Sequence, residues 1–133
     1  MDTNGNLKVL LLKDLCCRLP YRVICDRLGK HYPLVGIDIE RELVYLLRDN
    51  SYVPYSILRG DIIKPYLRPM SSMTKEERNE YHSYCDYYYG TYFDTVGGID
   101  WLNRNHFDYR KDDEGKTMIE KGLALEAPDG MYK

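Results

Sequence analysis

The 133-residue sequence predicts an α+β fold: a leading helix, a small bent antiparallel sheet or SH3-like barrel over residues 21–69, and about three helices packed on it. Three observations carry this expectation. Apolar residues in 21–48 recur with the period of strands, whereas those after residue 74 recur with the period of helices. Between the two, Pro65 and Pro69 fence an extended segment, because each fixes its own φ and disfavours the helical region for the residue before it. Thr74-Lys75-Glu76-Glu77 then has the form of a capping box, in which the Thr74 hydroxyl accepts from the Glu77 N–H and the Glu77 side chain reaches back to the Thr74 N–H.

Taken in order, residues 1–6 are small and polar and are expected to fray. Leu11, Leu12, Leu15, Cys16 and Leu19 place an apolar stripe on a short helix over 7–19, which Pro20 stops. Residues 21–27 alternate as a strand, with Tyr21, Val23 and Cys25 on one face. A turn at 28–33 precedes strands at 34–39 and 42–48, joined by the polar reversal Glu40-Arg41. Asp49-Asn50-Ser51 is the next turn. Pro54 confines a short strand at 52–55 to a sheet edge. A single helical turn at 56–61 and a strand at 62–67 complete the sheet, and closure would hide its edges.

In the second half, the capped helix is expected to reach residue 86, with Tyr81, Tyr84, Cys85 and Tyr88 sharing a face and Gly90 ending it. A loop at 94–98 leads to a helix at 99–107 carrying Ile99, Leu102 and His106 on one side. Residues 111–116 form a charged loop, and residues 117–125 a last helix. The chain is expected to be one domain over 1–133, with helix 7–19, a β-rich part 21–69 and a helical part 74–125.

Composition narrows the function classes. The net charge of −2 supplies no basic footprint for nucleic acid. The charge is uneven: residues 1–70 hold 11 Lys/Arg and 8 Asp/Glu, net +3, and residues 71–133 hold 8 and 13, net −5. The apolar run at 9–12 is short and broken by Lys13-Asp14, so no secretory signal or membrane span is expected. Cys16, Cys17, Cys25 and Cys85 form no CxxC motif, and reduced thiols in the cytoplasm are the default. Fourteen tyrosines against two Phe and one Trp suit half-buried positions and contact surfaces.

Four stretches resemble a recurrent pattern: Lys64-Pro65-Tyr66-Leu67-Arg68-Pro69-Met70-Ser71-Ser72-Met73-Thr74, Ile99-Asp100-Trp101-Leu102-Asn103, His106-Phe107-Asp108-Tyr109-Arg110, and Ile119-Glu120-Lys121-Gly122-Leu123-Ala124. The pattern is that of short proteins without assigned activity from gut anaerobic bacteria, their prophages and other mobile elements. In that pattern Tyr109-Arg110 runs almost directly into the last helix. Here residues 111–116 intervene, which shifts the start of that helix. The resemblance implies relatives and no mechanism.

Candidate chemistry is sparse. His82 and Cys85 lie three apart on one helix face, and His106 with Cys25 or Cys16 could complete a zinc site. No second ligand pair is close in sequence, and free Cys commonly just packs, so no metal or other cofactor is expected. Cys85, His82 and Asp86 are the right types for a nucleophilic site, but Cys85 and Asp86 point about 100° apart on a helix. The expected function is a non-catalytic binding or adaptor protein whose partner is a protein. Its contact residues would be Tyr87, Tyr89, Trp101, His106 and Arg110. Trp101 and Arg110 have structural uses too, Trp101 as a core anchor and Arg110 paired to Asp108 or Asp100. A small-barrel nucleic-acid binder, using Arg22, Lys30, His31, Tyr32, Arg41, Arg48, Tyr52 and Tyr55, is the alternative. An enzyme comes third.

Overall fold

A computed structural model of the chain describes residues 3–132. Helix α1 (Thr3–Arg18) begins four residues earlier than the apolar stripe predicts and gives way to a 3-10 turn at Leu19–Tyr21 containing Pro20. Met1 and Asp2, part of the segment expected to fray, lie outside the described residues.

Five strands follow: β1 (Ile24–Arg27), β2 (Lys30–Asp38), β3 (Leu43–Arg48), β4 (Ser51–Ser56) and β5 (Lys64–Pro69). Two-residue turns set the register of two hairpins. Leu28-Gly29 joins β1 to β2, and Asp49-Asn50 joins β3 to β4, each with both central residues at positive φ. Such turns match the twist of the strands they connect. The turn expected at 28–33 is therefore only two residues long, and His31, Tyr32 and Pro33 belong to β2. Pro33 is tolerated within that central strand because the Leu34 N–H points to Val23 of β1, which turns the Pro33 nitrogen toward β3, and β3 pairs only from Leu34 onward. Pro54 sits on β4, the outermost strand, as expected. Residues 57–60 form a hydrogen-bonded turn rather than a helix.

The strand order is β4-β3-β2-β1-β5-β8, where β8 is Phe107–Asp108, and β9 (Leu125–Glu126) pairs with β5 as well. The first five strands are antiparallel, while β8 and β9 join β5 in parallel. The sheet is thus mixed and open, not a closed barrel. Closure would need β4 to meet the free side of β5, and that side is taken by two short strands from the second half.

The later helices are α2 (Lys75–Ser83) and α3 (Val96–Arg104). The capping box forms as written: the Glu77 N–H donates to Thr74 Oγ1 at 3.1 Å, and the Thr74 N–H donates to Glu77 Oε1 at 3.0 Å. Helix α2 stops three residues short of expectation, and residues 86–93 become the hairpin β6 (Asp86–Tyr88) and β7 (Thr91–Phe93). Tyr89 at φ 49° and Gly90 at φ 81° form its turn, so Gly90 serves a hairpin and not a helix end. Helix α3 starts earlier and ends earlier than predicted: Thr95 caps it through the Gly98 N–H, and Phe107 passes into the sheet.

The helix expected at 117–125 is a single turn. Thr117 and Glu120 exchange hydrogen bonds as a second capping box, and the Asp108 carboxylate accepts from the Met118 and Ile119 N–H groups. Gly122, at φ 76°, then ends the turn. The preceding charged loop is ordered by Asp112, which accepts from the Glu114 and Lys116 N–H groups and pairs with Lys121 at 2.6 Å.

Two cores result. Leu11, Leu12 and Leu15 of α1 pack on Val23, Cys25, Leu34, Val44, Leu46 and Leu67 of the sheet, sealed by Met118 and Ala124. A smaller cluster joins Trp101, Leu102 and Phe107 to Met73, with Tyr81, Ile99 and Tyr109 around it.

Candidate interaction surface

The hairpin β6–β7 stands on a short scaffold. Helix α2 is tied to β5 by the Arg68–Glu77 ion pair at 2.7 Å, which holds the Glu77 carboxyl below the usual range. Its last turn aims Tyr81 into the smaller core, with the ring centroid 5.5 Å from that of Trp101. The Tyr81 hydroxyl donates to the Asp94 carboxylate just after β7, and burial together with that carboxylate pushes the phenol well up. Gly98 of α3 is buried against this corner, where an added Cβ would meet Cys85 Sγ at 3.2 Å. His82 lies flat on Tyr92, centroids 3.7 Å apart.

Beyond this base the hairpin buries nothing. Its register pairs Asp86 with Phe93, Tyr87 with Tyr92 and Tyr88 with Thr91, and all six residues are exposed. Directly paired residues share a face, so Tyr87 and Tyr92 line one side while Tyr88 and Phe93 line the other. Ring contacts agree: Tyr87 meets Tyr92 at 4.8 Å, and Tyr88 meets Phe93 diagonally at 6.4 Å. Tyr89 projects from the turn with its whole side chain in solvent. Tyr84 and Val96 extend the apolar surface at its root.

The five residues expected to make contact do not share one surface. Tyr87 and Tyr89 are on the hairpin. Trp101 is 1 % exposed and anchors the smaller core, leaving no ring face for a partner. His106 is 8 % exposed, with its ring stacked on Tyr132 at 3.7 Å. Burial and the nearby Arg18 and Arg68 cations lower its pKa to about 4. Arg110 pairs with neither Asp108 nor Asp100; its Nε donates to Asp14 Oδ1 at 3.3 Å. Asp14 and Arg18, both fully buried, form the centre of that group: Arg18 donates twice to Asp14, at 2.8 and 3.1 Å, and once to the Phe107 carbonyl at 2.6 Å. Of the five, Arg110 ties α1 to the second half, while Trp101 and His106 pack within the second half. Tyr88, Tyr92 and Phe93, which belong to the same aromatic run, complete the exposed surface instead. The Asp14–Arg18 pair has a sequence signal of its own, opposite charges at i and i+4 inside the leucine stripe of α1.

No protein family, curated protein or solved structure matches the chain.

Burial pushes the Cys16, Cys25 and Cys85 thiols up, away from the thiolate form. Among the described residues no three His, Cys, Asp or Glu side chains converge as metal ligands. A cleft of about 540 Å³ beside the hairpin is lined by Leu102, Ile119, Tyr81, Tyr109 and the carboxylates of Asp94 and Asp108, with no Cys or His in its wall. On the sheet, the basic residues considered for nucleic acid are partly occupied: Arg48 donates to the Tyr55 hydroxyl at 2.7 Å and covers the Tyr32 ring. No helix among the described residues is long and apolar enough to cross a membrane.

Proposed function

We propose that this chain is a non-catalytic protein-binding or adaptor module, and that the hairpin β6–β7 is its contact surface. One observation carries the proposal: Tyr87, Tyr88, Tyr92 and Phe93 are exposed on both faces of a two-stranded hairpin, with Tyr89 at its tip. A surface hairpin ordinarily buries one face on its own domain, and a two-stranded ribbon alone is marginal in water. Exposed aromatic clusters of this kind mark interaction sites, and Tyr supplies contact area at low entropic cost. The two free hairpin edges also offer unpaired backbone groups to an added strand.

Affinity capture from the native host, after nuclease treatment, tests the proposal with wild type beside the Tyr87→Ser/Tyr88→Ser variant. A protein retained by wild type and lost with the variant supports it. The same proteins retained by both, or partners that vanish with nuclease, overturn it. Both side chains are exposed, so circular dichroism of the variant should match wild type.

A further inference from the structure

Where this chain sets a cation over an aromatic ring, the cation is an arginine, and none is set over the hairpin. Six arginines lie over rings among the described residues. Arg68 is 4.2 Å from the Phe107 centroid, Arg27 is 5.0 Å from that of Tyr55, Arg48 is 5.1 Å from that of Tyr32, and Arg104 reaches Tyr84 at the hairpin root at 5.9 Å. None covers Tyr87, Tyr88, Tyr89, Tyr92 or Phe93. The chain itself explains the gap. Residues 79–103 contain no Lys or Arg, while Glu80, Asp86, Asp94 and Asp100 in that stretch are all exposed. Among the described residues no arginine or lysine lies over the rings of Tyr87, Tyr88 or Phe93, and the exposed charges in this stretch are carboxylates.

We propose that the hairpin receives the arginine side chains of a partner protein's basic segment, which stack on Tyr87, Tyr88 and Phe93 while Asp86 and Asp94 balance their charge. This rests on the hairpin being a protein-contact surface and adds the chemistry of the occupant. A planar guanidinium suits the geometry better than an ammonium, because it stacks on a ring face and still donates in-plane to a carboxylate. A second hairpin would bring more acid and no base. A nucleic-acid strand would bring phosphates to a surface that repels them.

The test is a titration of the full ¹⁵N-labelled chain with acetylated arginine–glycine repeat peptide, followed by amide shifts at low and moderate salt. Matched lysine–glycine and glutamine–glycine peptides serve as comparators. The arginine peptide should shift amides of β6, β7 and the Tyr89-Gly90 turn. The lysine peptide should bind about three- to tenfold more weakly, and the glutamine peptide should leave the spectrum unchanged. Tyr87→Ser/Tyr88→Ser should weaken arginine-peptide binding about tenfold or more, and Asp86→Asn should weaken it a few-fold and flatten its salt dependence. An arginine response absent, equal to that of glutamine, or located off the hairpin overturns the proposal. If hairpin-dependent capture of a host protein persists in that case, the contact surface stands and only the arginine chemistry falls. Sedimentation showing a dimer that Tyr87→Ser/Tyr88→Ser dissolves would also overturn it, since a second copy would then cover the rings.

Discussion

The buried knot at Asp14 and the hairpin at Tyr87 use the same kinds of residue in opposite ways. At the knot, Arg18 and Arg110 converge on one carboxylate, and both guanidinium groups lie near the Tyr109 ring. Arg18 and Arg110 both use their charge within the chain, and α1 is locked to the second half. On the hairpin, Tyr87, Tyr88, Tyr89 and Tyr92 carry no arginine over their rings, and Asp86 is exposed beside them. Tyr richness alone therefore says little about contact: Tyr66 packs in the core with no cation over its ring, and Tyr84 is exposed with Arg104 over it, so exposure in the fold is what separates the two uses.

The largest effect belongs to Asp14→Ala. Removing one partner of a buried pair leaves the Arg18 charge uncompensated in an apolar site, a change that typically costs about 3–5 kcal/mol. Urea unfolding should show a loss of that size, with Arg110 freed as well. A loss under about 1 kcal/mol would mean that water reaches Arg18 and that the knot is not the clamp described.

His106 supplies the next test. Its folded pKa of about 4 lies below the ordinary value of 6.5, so between those values the unfolded chain binds the proton and the folded chain does not. The associated stability is complete above pH 6.5 and is lost as pH falls toward about 4, to a total of about 3 kcal/mol. His106 sits at φ 64°, a conformation Asn tolerates, so His106→Asn keeps the backbone while removing the titration. The variant should lose less stability than wild type between pH 7 and pH 4. Asp108, whose carboxyl burial raises, contributes to both proteins and cancels in the difference. Equal slopes would place His106 in water.

Much of the front half was legible because its signals are local. Alternation located the strands, Pro54 marked an edge, and the Thr74 box formed atom for atom. What escaped depends on distant partners. The open sheet follows from β8 and β9 docking on β5, strands of two residues each that no periodicity announces. The last helix failed because Gly122 cut it to the one turn that Asp108 anchors. The hairpin failed for a different reason: Tyr81, Tyr84, Cys85 and Tyr88 fit a helical face, and only the Tyr89-Gly90 pair hinted at a turn. Tyr87 and Tyr89 were legible as contact candidates because such a run cannot bury every ring. Trp101 was legible as a core anchor or a contact, and the fold selects the anchor; His106 was not legible as buried, since an aromatic residue on a short helix serves either use.

Tyr89 gives the smallest and cleanest effect. It occupies the first central position of a two-residue turn, at φ 49°, where a bulky side chain is disfavoured and Asn is preferred ahead of Gly. Its ring touches only solvent, so Tyr89→Asn removes contact area without removing packing. Urea unfolding should change by no more than about 0.5 kcal/mol, in either direction. The same substitution should weaken hairpin-dependent capture of a partner. A loss of stability above about 1 kcal/mol would show that the ring packs within the chain, and the hairpin would then belong with the knot rather than against it.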